Sequence, residues 1–494
     1  MVLAEHPTEA MVAMTASSTI TDTFGRADRW ALPSFLAVLL VTVGMHSLTI
    51  SHSPAIWNDE VQILDYARVL FDPSTDWSLT IDRQGRAGLT MNPVYMAALH
   101  GWTKVFGISP VATRSLAYLS AVAAVVVFWA LMRSMAIRPW MCTVAALGLW
   151  FDALFIKSFR GARGDAFAMA LALGACLAWN LALRRGSWRW AVAAGVLAPI
   201  ALLAWPTAAL VLILALALWA QFALRTRSVA LRVCCVAAAS AAAVVAVYAM
   251  LYYLPNRERI VATFADTYWL GRIAPSRALR GMFLAEPWVA LTFVAAAVLA
   301  VWRRAAAAPI AALGLGLLVI AVGPQMHEYR LVYLLPGMYL FIAQAFPEKV
   351  GCLFLVAALT AVPSGMVHCG MRAVAGLGNQ EMRDYAPIAA HLEQLIPKGA
   401  QVVTGPGSDS EHYYTGRENG WRMYFLNADV AVGNSPEFYL LVEHNRPMPR
   451  WLANFSCELL AQLETPRIRE WITGREYSLY EVRVYRCRSV AKKP

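Results

Sequence analysis

Long apolar runs recur along almost the whole of this chain and leave little choice of fold. Each run is roughly 15 to 22 residues long, which is about the length that an α-helix needs to cross a bilayer. Backbone groups in lipid must find their hydrogen bonds within the segment, so such runs form helices. Hydrophobic residues make up 59% of the chain and charged residues only 15%, against about a quarter in soluble domains. The sequence therefore predicts a polytopic α-helical membrane protein.

The basic residues are spread between the apolar runs. The formal net charge is +11. Because no basic stripe with interleaved aromatic residues is present, we do not expect nucleic acid to be a partner. Dispersed arginines and lysines are typical of cytoplasmic loops and of contacts with lipid phosphates. We therefore expect membrane lipids, and no nucleic acid, around this chain.

Whether residues 92–106 cross the membrane decides the predicted topology. The segment is short and contains His100 and Lys104, so we interpret it as interfacial or re-entrant. Most loop arginines and lysines then fall on one side, which the positive-inside rule makes the cytoplasm. The result is about 11 transmembrane helices. These predicted spans are 32–50, 112–132, 139–156, 166–183, 190–204, 206–224, 233–254, 288–302, 305–323, 331–346 and 350–367.

This topology divides the chain into three parts. We expect residues 1–30 to form a cytoplasmic N-terminal tail, 31–370 the transmembrane domain, and 371–494 a small extracytoplasmic C-terminal domain. Two outer loops are long, namely 51–111 and 255–287. The predicted location is the cell (inner) membrane, with these loops and the C-terminal domain facing the periplasm or extracytoplasm.

The C-terminal part predicts an α/β domain. Residues 385–396 have the spacing of a helix, and 401–405, 438–442 and 477–485 resemble strands. Cys457 and Cys487 both lie here, and in an oxidising compartment we expect them to form a disulfide. Most other cysteines fall in apolar runs, and no cysteine pattern indicates structural zinc.

Two adjacent carboxylates, Asp59 and Glu60, follow the first apolar run. Carboxylates at a bilayer edge are costly to desolvate and tend to be kept where they take protons or bind cations. The alternative is a solvated helix start, with Asn58 or Asp59 as the N-cap. Residues 61–70 have apolar side chains at helical spacing and predict a helix lying along the interface. Asp65, on that helix, serves as a control position for loss of charge.

Four short stretches occur in a characteristic order. They are Asn58-Asp59-Glu60, then Asn92-Pro93-Val94-Tyr95 running to Lys104-Val105-Phe106-Gly107 and Arg114, then Arg163-Gly164-Asp165, and last Glu328-Tyr329-Arg330-Leu331-Val332-Tyr333-Leu334-Leu335-Pro336. In this order the membrane part, 30–370, resembles the C-type glycosyltransferases that use polyprenyl-phosphate sugars. The branch it resembles is the protein mannosyltransferase and lipid A aminoarabinose transferase superfamily. The C-terminal part resembles that superfamily only loosely.

The resemblance implies an inverting transfer, in which an acceptor hydroxyl attacks the anomeric carbon of a polyprenyl-phosphate monosaccharide. A hydroxyl is a poor nucleophile, so a carboxylate must take its proton. The resemblance gives Asp59 this role, or that of a metal ligand. Glu60 is either a second catalytic carboxylate or a holder of neighbouring side chains. Asp165 is either a helix N-cap or joins Asp59 at a divalent cation such as Mg, Mn or Zn.

The leaving phosphate needs cationic groups to stabilise its developing charge. The candidates for this role lie at predicted outer ends of spans and are Arg163, His327 and Arg330. Their alternative role is to extend (snorkel) to lipid head groups. Tyr95 either contacts the substrate or lies in the membrane interface.

One departure from the family pattern concerns the residue before the second motif. The aminoarabinose branch has a lysine just before its Pro-Pro, whereas Asn92 precedes Pro93 in this chain. Arg83 and Arg86 are the candidates to replace that lysine as contacts for the donor.

The acceptor is a lipid, a glycan or a protein, and two rival functions stay open. A polysaccharide ligase or polymerase of the same fold would place key basic residues in a later loop such as 255–287. A lipid or sugar transporter would place its charges near the middle of the membrane, whereas here they cluster at the ends of spans.

Overall fold

The structure of the chain is a computed structural model. The predicted spans 288–302, 305–323 and 350–367 lie outside the residues that it describes, as does most of the loop 255–287. The described residues are 28–48, 50–51, 56, 58–71, 92–223, 227–267, 332–345, 385–404, 412–425, 436–444, 446–448, 450–465 and 480–489.

Helices make up nearly all of the described membrane part. Their interiors are rich in Ala, Leu and Val, and each pairs its own backbone groups, as lipid requires. One short 3₁₀ turn and one π-helical turn lie between described helices of this part. The elements are α1 (Asp28–Ser47), α2 (Asn58–Phe71), α3 (Pro93–Phe106), α4 (Pro110–Ser134), α5 (Pro139–Phe151), α6 (Ala153–Arg160), α7 (Asp165–Arg185), α8 (Trp188–Ala204), the 3₁₀ turn Pro206–Ala208, α9 (Ala209–Ala223), α10 (Arg227–Tyr248), the π turn Ala249–Tyr253, α11 (Leu254–Thr267) and α12 (Leu335–Ala345).

Several described helices are suited to crossing a membrane. Within the described residues there are four of sufficient length and apolar character, or five if the bent pair α5–α6 is one span. Each overlaps a predicted span, which confirms a multi-pass helical membrane protein. The number of 11 spans and their orientation stay predictions. The four helices are Asp28–Ser47, Pro110–Ser134, Asp165–Arg185 and Val229–Glu258.

The predicted span over 139–156 is not a single straight helix. Helix α5 ends at Phe151, α6 begins at Ala153, and their axes differ by 60°. The Asp152 carboxylate accepts hydrogen bonds from the backbone N–H groups of Leu154 (3.0 Å) and Phe155 (3.3 Å), so it caps α6. The Tyr339 hydroxyl of α12 donates to the same carboxylate at 3.3 Å. A buried cap therefore satisfies the backbone groups that the break exposes.

The first loop contains two described helices, α2 and α3. Helix α3 has 14 residues, which gives a length of about 21 Å. That residues 92–106 do not cross the membrane stays a prediction. Helix α2 is predicted to lie along the interface, and its residues 63–67 are all buried, including Asp65. They are buried because α3 and the C-terminal domain pack against α2.

The C-terminal domain contains a five-stranded mixed sheet of β1 (Gln401–Thr404), β2 (Arg422–Phe425), β3 (Glu437–Glu443), β4 (Phe455–Glu464) and β5 (Glu481–Ser489). The strand order is β2-β1-β3-β5-β4. Strand β1 pairs in parallel with β2 and β3, while β5 is antiparallel to β3 and β4. The central strand β3 is buried along its middle five residues, as expected for a strand covered on both faces. The other described elements of the domain are α13 (Ala386–Leu395), α14 (Tyr413–Glu418) and a 3₁₀ turn (Arg450–Asn454).

The α/β character of this domain is confirmed, but only part of its sheet is predicted by sequence. The strands expected at 401–405 and 438–442 correspond to β1 and β3, and the one at 477–485 overlaps β5. Strand β4 escapes prediction because Leu, Ala, Gln and Glu, which favour helices, dominate it. A bulge between Leu459 and Ala461 also breaks its alternation.

The predicted disulfide is confirmed. Cys457 of β4 and Cys487 of β5 lie directly opposite each other in the antiparallel register and are joined. The bond connects the edge strand β4 to the interior of the sheet.

Candidate functional site

Glu60 lies in the first turn of α2 and forms a buried ion pair with Arg114 of α4. The Arg114 Nε donates to Glu60 Oε1 at 2.9 Å and Nη2 donates to Oε2 at 3.0 Å. Both side chains are fully buried. The third guanidinium nitrogen, Nη1, donates to the Ile50 carbonyl at 2.9 Å. The pair therefore fixes the start of α2 against both α4 and the segment that follows α1.

The C-terminal domain reaches the same carboxylate. The Tyr414 hydroxyl of α14 donates to Glu60 Oε1 at 2.8 Å and lies 2.9 Å from the Thr113 hydroxyl. Burial, followed by the charge of Glu60, raises the pKa of Tyr414 well above its usual value. The phenol therefore keeps its proton and acts as a donor. Both carboxylate oxygens of Glu60 accept hydrogen bonds from fixed partners.

Asp65, one and a half turns further along α2, is a second buried carboxylate at this boundary. Its Oδ1 accepts from the Tyr413 hydroxyl (2.9 Å), from Arg417 Nη2 (3.0 Å) and from Arg68 Nη2 (3.1 Å). Burial alone would lower the pKa of Arg417, but Tyr413 and Asp65 outweigh it and raise that pKa. Asp65 is thus a structural ion-pair partner and is unsuitable as a control for charge loss.

Asp165 begins α7 and forms a second ion pair with Arg163. The Arg163 Nε donates to Asp165 Oδ2 at 2.8 Å, and both side chains are nearly inaccessible. The guanidinium also lies over the Trp205 ring, 5.4 Å from its centroid. The Tyr333 hydroxyl donates to Asp165 Oδ1 at 3.2 Å. Asp165 lies inside α7 rather than capping it, because Gly164 occupies the N-cap position.

Tyr95 of α3 lies next to both carboxylates. It is fully buried, and its hydroxyl has no hydrogen-bond partner among the described residues. Burial raises its pKa, and the charges of Glu60 and Asp165 raise it further, so the phenol stays protonated. A buried hydroxyl without a partner loses the free energy of hydration. This donor is therefore suited to a ligand acceptor atom.

Gly164 allows these segments to approach closely, and Gly161 lies beside them in the same loop. A Cβ atom on Gly164 would lie 2.9 Å from the Trp205 ring and 3.0 Å from the Tyr95 ring. A Cβ atom on Gly161 would lie 3.8 Å from Glu60 Oε2 and 3.9 Å from Arg163 Cγ. The loop 161–164 therefore brings the first-loop carboxylate, Tyr95 and the Arg163–Asp165 pair into one place.

The structure describes only some of the predicted site residues. It brings together Glu60, Tyr95, Arg163 and Asp165 as given above. Asp59 lies in the first turn of α2, and its side chain is outside the described residues. Four further predicted residues also lie outside them, namely Arg83, Arg86, His327 and Arg330.

Sequence reasoning missed the partners that these residues find. Arg114 and Tyr333 lie within the quoted motifs but received no role. Asp65 stands among the apolar residues Leu64, Tyr66 and Ala67, which is a signal of a buried charge. Nothing local indicates Tyr414 or Arg417, because their partners lie about 350 residues earlier, at separations of 354 and 352.

The described residues do not form a metal site. No group of three or more His, Cys, Asp or Glu side chains among them could hold an ion. Arg163 and Tyr333 already donate to the two oxygens of Asp165, so a cation would have to displace them. A metal shared between Asp59 and Asp165 stays a prediction.

Comparison with solved structures shows that this chain has the fold of the C-type glycosyltransferases. One match is ArnT from Cupriavidus metallidurans bound to undecaprenyl phosphate, with a TM-score of 0.61 and 15% identity over 92% of this chain and 97% of that one. The apo state of that protein matches with a TM-score of 0.61 and 16% identity over 93% and 98%. The archaeal oligosaccharyltransferase AglB from Archaeoglobus fulgidus gives a TM-score of 0.47 at 11% identity over 84% and 70%. The predicted resemblance is thus confirmed for the fold.

Comparison by sequence finds less. No protein-family profile matches the chain, and no curated protein matches it.

Proposed function

We propose that this protein is an inverting membrane glycosyltransferase that moves a monosaccharide from a polyprenyl-phosphate donor to an acceptor hydroxyl. The observation that carries the proposal is the buried cluster of Glu60, Tyr95, Arg163 and Asp165, located where the first loop meets the membrane helices. The ArnT fold over almost the whole chain supports it, as does the undecaprenyl phosphate bound in one of those structures.

Asp59 is the proposed base. Both oxygens of Glu60 already accept from Arg114, and Oε1 also accepts from Tyr414, so Glu60 is poorly placed to take a proton. We assign Glu60 to positioning the start of α2, and Asp59, the preceding residue, to activating the acceptor hydroxyl. A positioned base of this kind contributes about 100- to 10,000-fold to the rate.

The donor phosphate is assigned to the cationic and hydroxyl groups around Asp165. The Arg163 guanidinium is held by Asp165 and Trp205, so its orientation is fixed before any ligand binds. The Tyr95 hydroxyl supplies a neutral donor beside it. Fixed donors stabilise the charge that develops on a leaving group without reorganisation. Arg83, Arg86, His327 and Arg330 remain proposed contributors to the same phosphate site.

The cellular side of the site follows from the C-terminal domain in this proposal. Disulfides persist in oxidising compartments and are rare in the cytosol, and Cys457 is bonded to Cys487. That bond supports an extracytoplasmic C-terminal domain. In this proposal the site lies on the same side, because α14 contacts Glu60. The acceptor would be a lipid, a glycan or a protein exposed there.

The test is transfer from a purified polyprenyl-phosphate sugar by the full-length protein. We expect Asp59→Asn to lower turnover by about 100- to 10,000-fold with little effect on expression, because the amide cannot accept the proton. The matched control is Asp28→Asn in the first turn of α1. Since α1 has 20 residues, that position lies about 30 Å along the helix axis from the first loop, and turnover should not change.

The same assay addresses the metal. If Asp59 and Asp165 share a cation, Asp165→Asn should regain part of its activity in excess divalent cation. Near wild-type transfer by Asp59→Asn would show that Asp59 takes no part in the reaction and would refute the proposed mechanism.

A further inference from the structure

Helices α2 and α14 meet through a set of polar contacts that the proposed reaction does not require. We call this set the α2–α14 interface. It consists of Glu60, Asp65 and Arg68 on α2, with Tyr413, Tyr414 and Arg417 on α14. The two carboxylates, Glu60 and Asp65, are fully buried.

The two carboxylates of α2 have partners on the same short helix, α14. Five residues of helix separate Glu60 from Asp65, which is a rise of about 7.5 Å. On α14 the adjacent residues Tyr413 and Tyr414 point to different carboxylates, with their rings nearly perpendicular at 88° and centroids 5.8 Å apart. Arg417, one turn further on, lies over the Tyr413 ring at 5.0 Å and adds its guanidinium to Asp65. One short helix therefore contacts α2 at two levels.

Directional contacts of this kind determine both the rotation and the axial position of α2. Apolar side chains alone would tolerate a small rotation, because dispersion contacts are non-directional and individually weak. A buried carboxylate that loses its donors is strongly destabilised. The orientation of α2 in which Glu60 and Asp65 both keep their partners is thus favoured over its neighbours.

We propose that α14 is a positioning element of the carboxylate site, acting through the α2–α14 interface to hold α2 and therefore Asp59 in place. The C-terminal domain is then part of the site's architecture. This inference rests on the proposed function for the role of the site, but the contact itself is testable without any assay of transfer. Arg417 and Tyr414 are positioning residues, since they act through α2 and touch no reacting atom.

Hydrogen–deuterium exchange of residues 58–71 in the intact full-length protein tests the contact. We expect Arg417→Gln and Tyr414→Phe each to speed exchange of this peptide by about tenfold or more, because each removes a hydrogen bond to a buried carboxylate. Tyr414→Phe deletes a single hydroxyl, so it decides the matter if Arg417→Gln does not fold.

The matched controls alter the same residue types elsewhere in the domain. Arg446→Gln removes an exposed arginine that pairs with Glu443 at 3.3 Å, and Tyr485→Phe removes a hydroxyl on β5. Neither should change exchange of 58–71. If that peptide exchanges at the wild-type rate in both Arg417→Gln and Tyr414→Phe, the proposal is overturned.

Kinetics separate positioning from simple stability. In the transfer assay we expect both variants to lower kcat by about 10- to 100-fold, as a misplaced catalytic group does, with the KM for donor little changed. Arg417→Lys, which keeps the charge at Asp65, should recover part of the loss. The double variant Asp65→Asn with Arg417→Gln should be no worse than either single variant, since residues acting as one unit are not additive.

The two proposals fail in different ways. If the wild-type protein transfers no sugar but exchange at 58–71 responds as expected, the proposed function fails and the structural role of α14 stands. If the wild-type protein is active and both variants retain full kcat, α14 does not position the site.

Discussion

Single residues at the boundary between the membrane helices and the C-terminal domain carry charge in places that water does not reach. Breaking a buried ion pair by removing one partner costs about 3–5 kcal/mol, since the remaining charge is left uncompensated. Glu60 and Arg114 meet this constraint by two parallel hydrogen bonds, and the bidentate geometry adds direction to the attraction. A buried ion pair often adds no net stability over well-packed apolar residues, so its directional contacts are what support a positioning role for Glu60.

His412 gives a pH-dependent prediction at the same scale. It is buried at the start of α14, its Nε2 lies 2.7 Å from the Tyr480 hydroxyl, and burial lowers its pKa from 6.5 to about 3. Below the unfolded-state pKa of 6.5, the unfolded chain binds a proton on this residue that the folded chain does not. The free energy of unfolding therefore decreases as the pH is lowered. We expect Tm of the intact protein to drop between about pH 6.5 and about pH 5, with the dependence reduced in His412→Gln.

The control for this prediction is His391→Gln. His391 is in α13 of the same domain but is exposed, so its replacement should leave the pH dependence of Tm unchanged. Equal slopes in the wild-type protein and His412→Gln would mean that another group causes the effect.

At the scale of elements, close packing of helices in the membrane part depends on small residues. A Cβ atom added to Gly195 of α8 would lie 2.2 Å from the Ala237 carbonyl oxygen of α10, and a backbone atom cannot turn aside. Without a hydrophobic driving force in lipid, helix association relies on such close backbone approach. The close contact between α8 and α10 therefore requires glycine at position 195.

Gly195→Ala should destabilise the protein by about 1–3 kcal/mol, the range for an overpacked core. The measurement is thermal unfolding of the purified protein in detergent. Gly44→Ala on α1 is the matched control, because a Cβ atom there meets nothing within 4 Å. That change should be neutral or slightly stabilising, since alanine favours a helix over glycine by about 1 kcal/mol. A stable Gly195→Ala variant would show that α8 and α10 can separate freely.

At the scale of the whole molecule, the orientation in the membrane determines which side each part of the chain occupies. The distribution of arginines and lysines predicts that reporter fusions at Arg138, Arg185 and Arg304 read cytoplasmic, and that a fusion at Pro494 reads outside. The Cys457–Cys487 bond favours the latter, because disulfides are rare in the cytosol. Outside signals at Arg138 and Arg185 would mean that residues 92–106 cross, and the outer placement of Asp165 would then be wrong.

The candidate site was predicted from sequence only in outline. Motif order placed Glu60, Tyr95, Arg163 and Asp165 in one region, and the structure brings them together. Their hydrogen-bond partners could not be derived, because each is set by the packing of distant segments. Asp65 illustrates this. The sequence suggests it as a control position for loss of charge, but in the structure its carboxylate accepts hydrogen bonds from three buried or half-buried side chains.

Local patterns alone determined the membrane class, the main helices and two strands of the C-terminal domain. Apolar run length and residue spacing act within one segment, where the hydrocarbon core and the backbone's own hydrogen bonds set the outcome. Tertiary structure decided which donors hold Glu60, at separations of 54 and 354 residues. It also decided that residues 63–67 of α2 are buried, that α5 and α6 bend at Asp152, and that β4 is a strand. These outcomes depend on which surfaces meet, because burial and pairing are properties of two segments together.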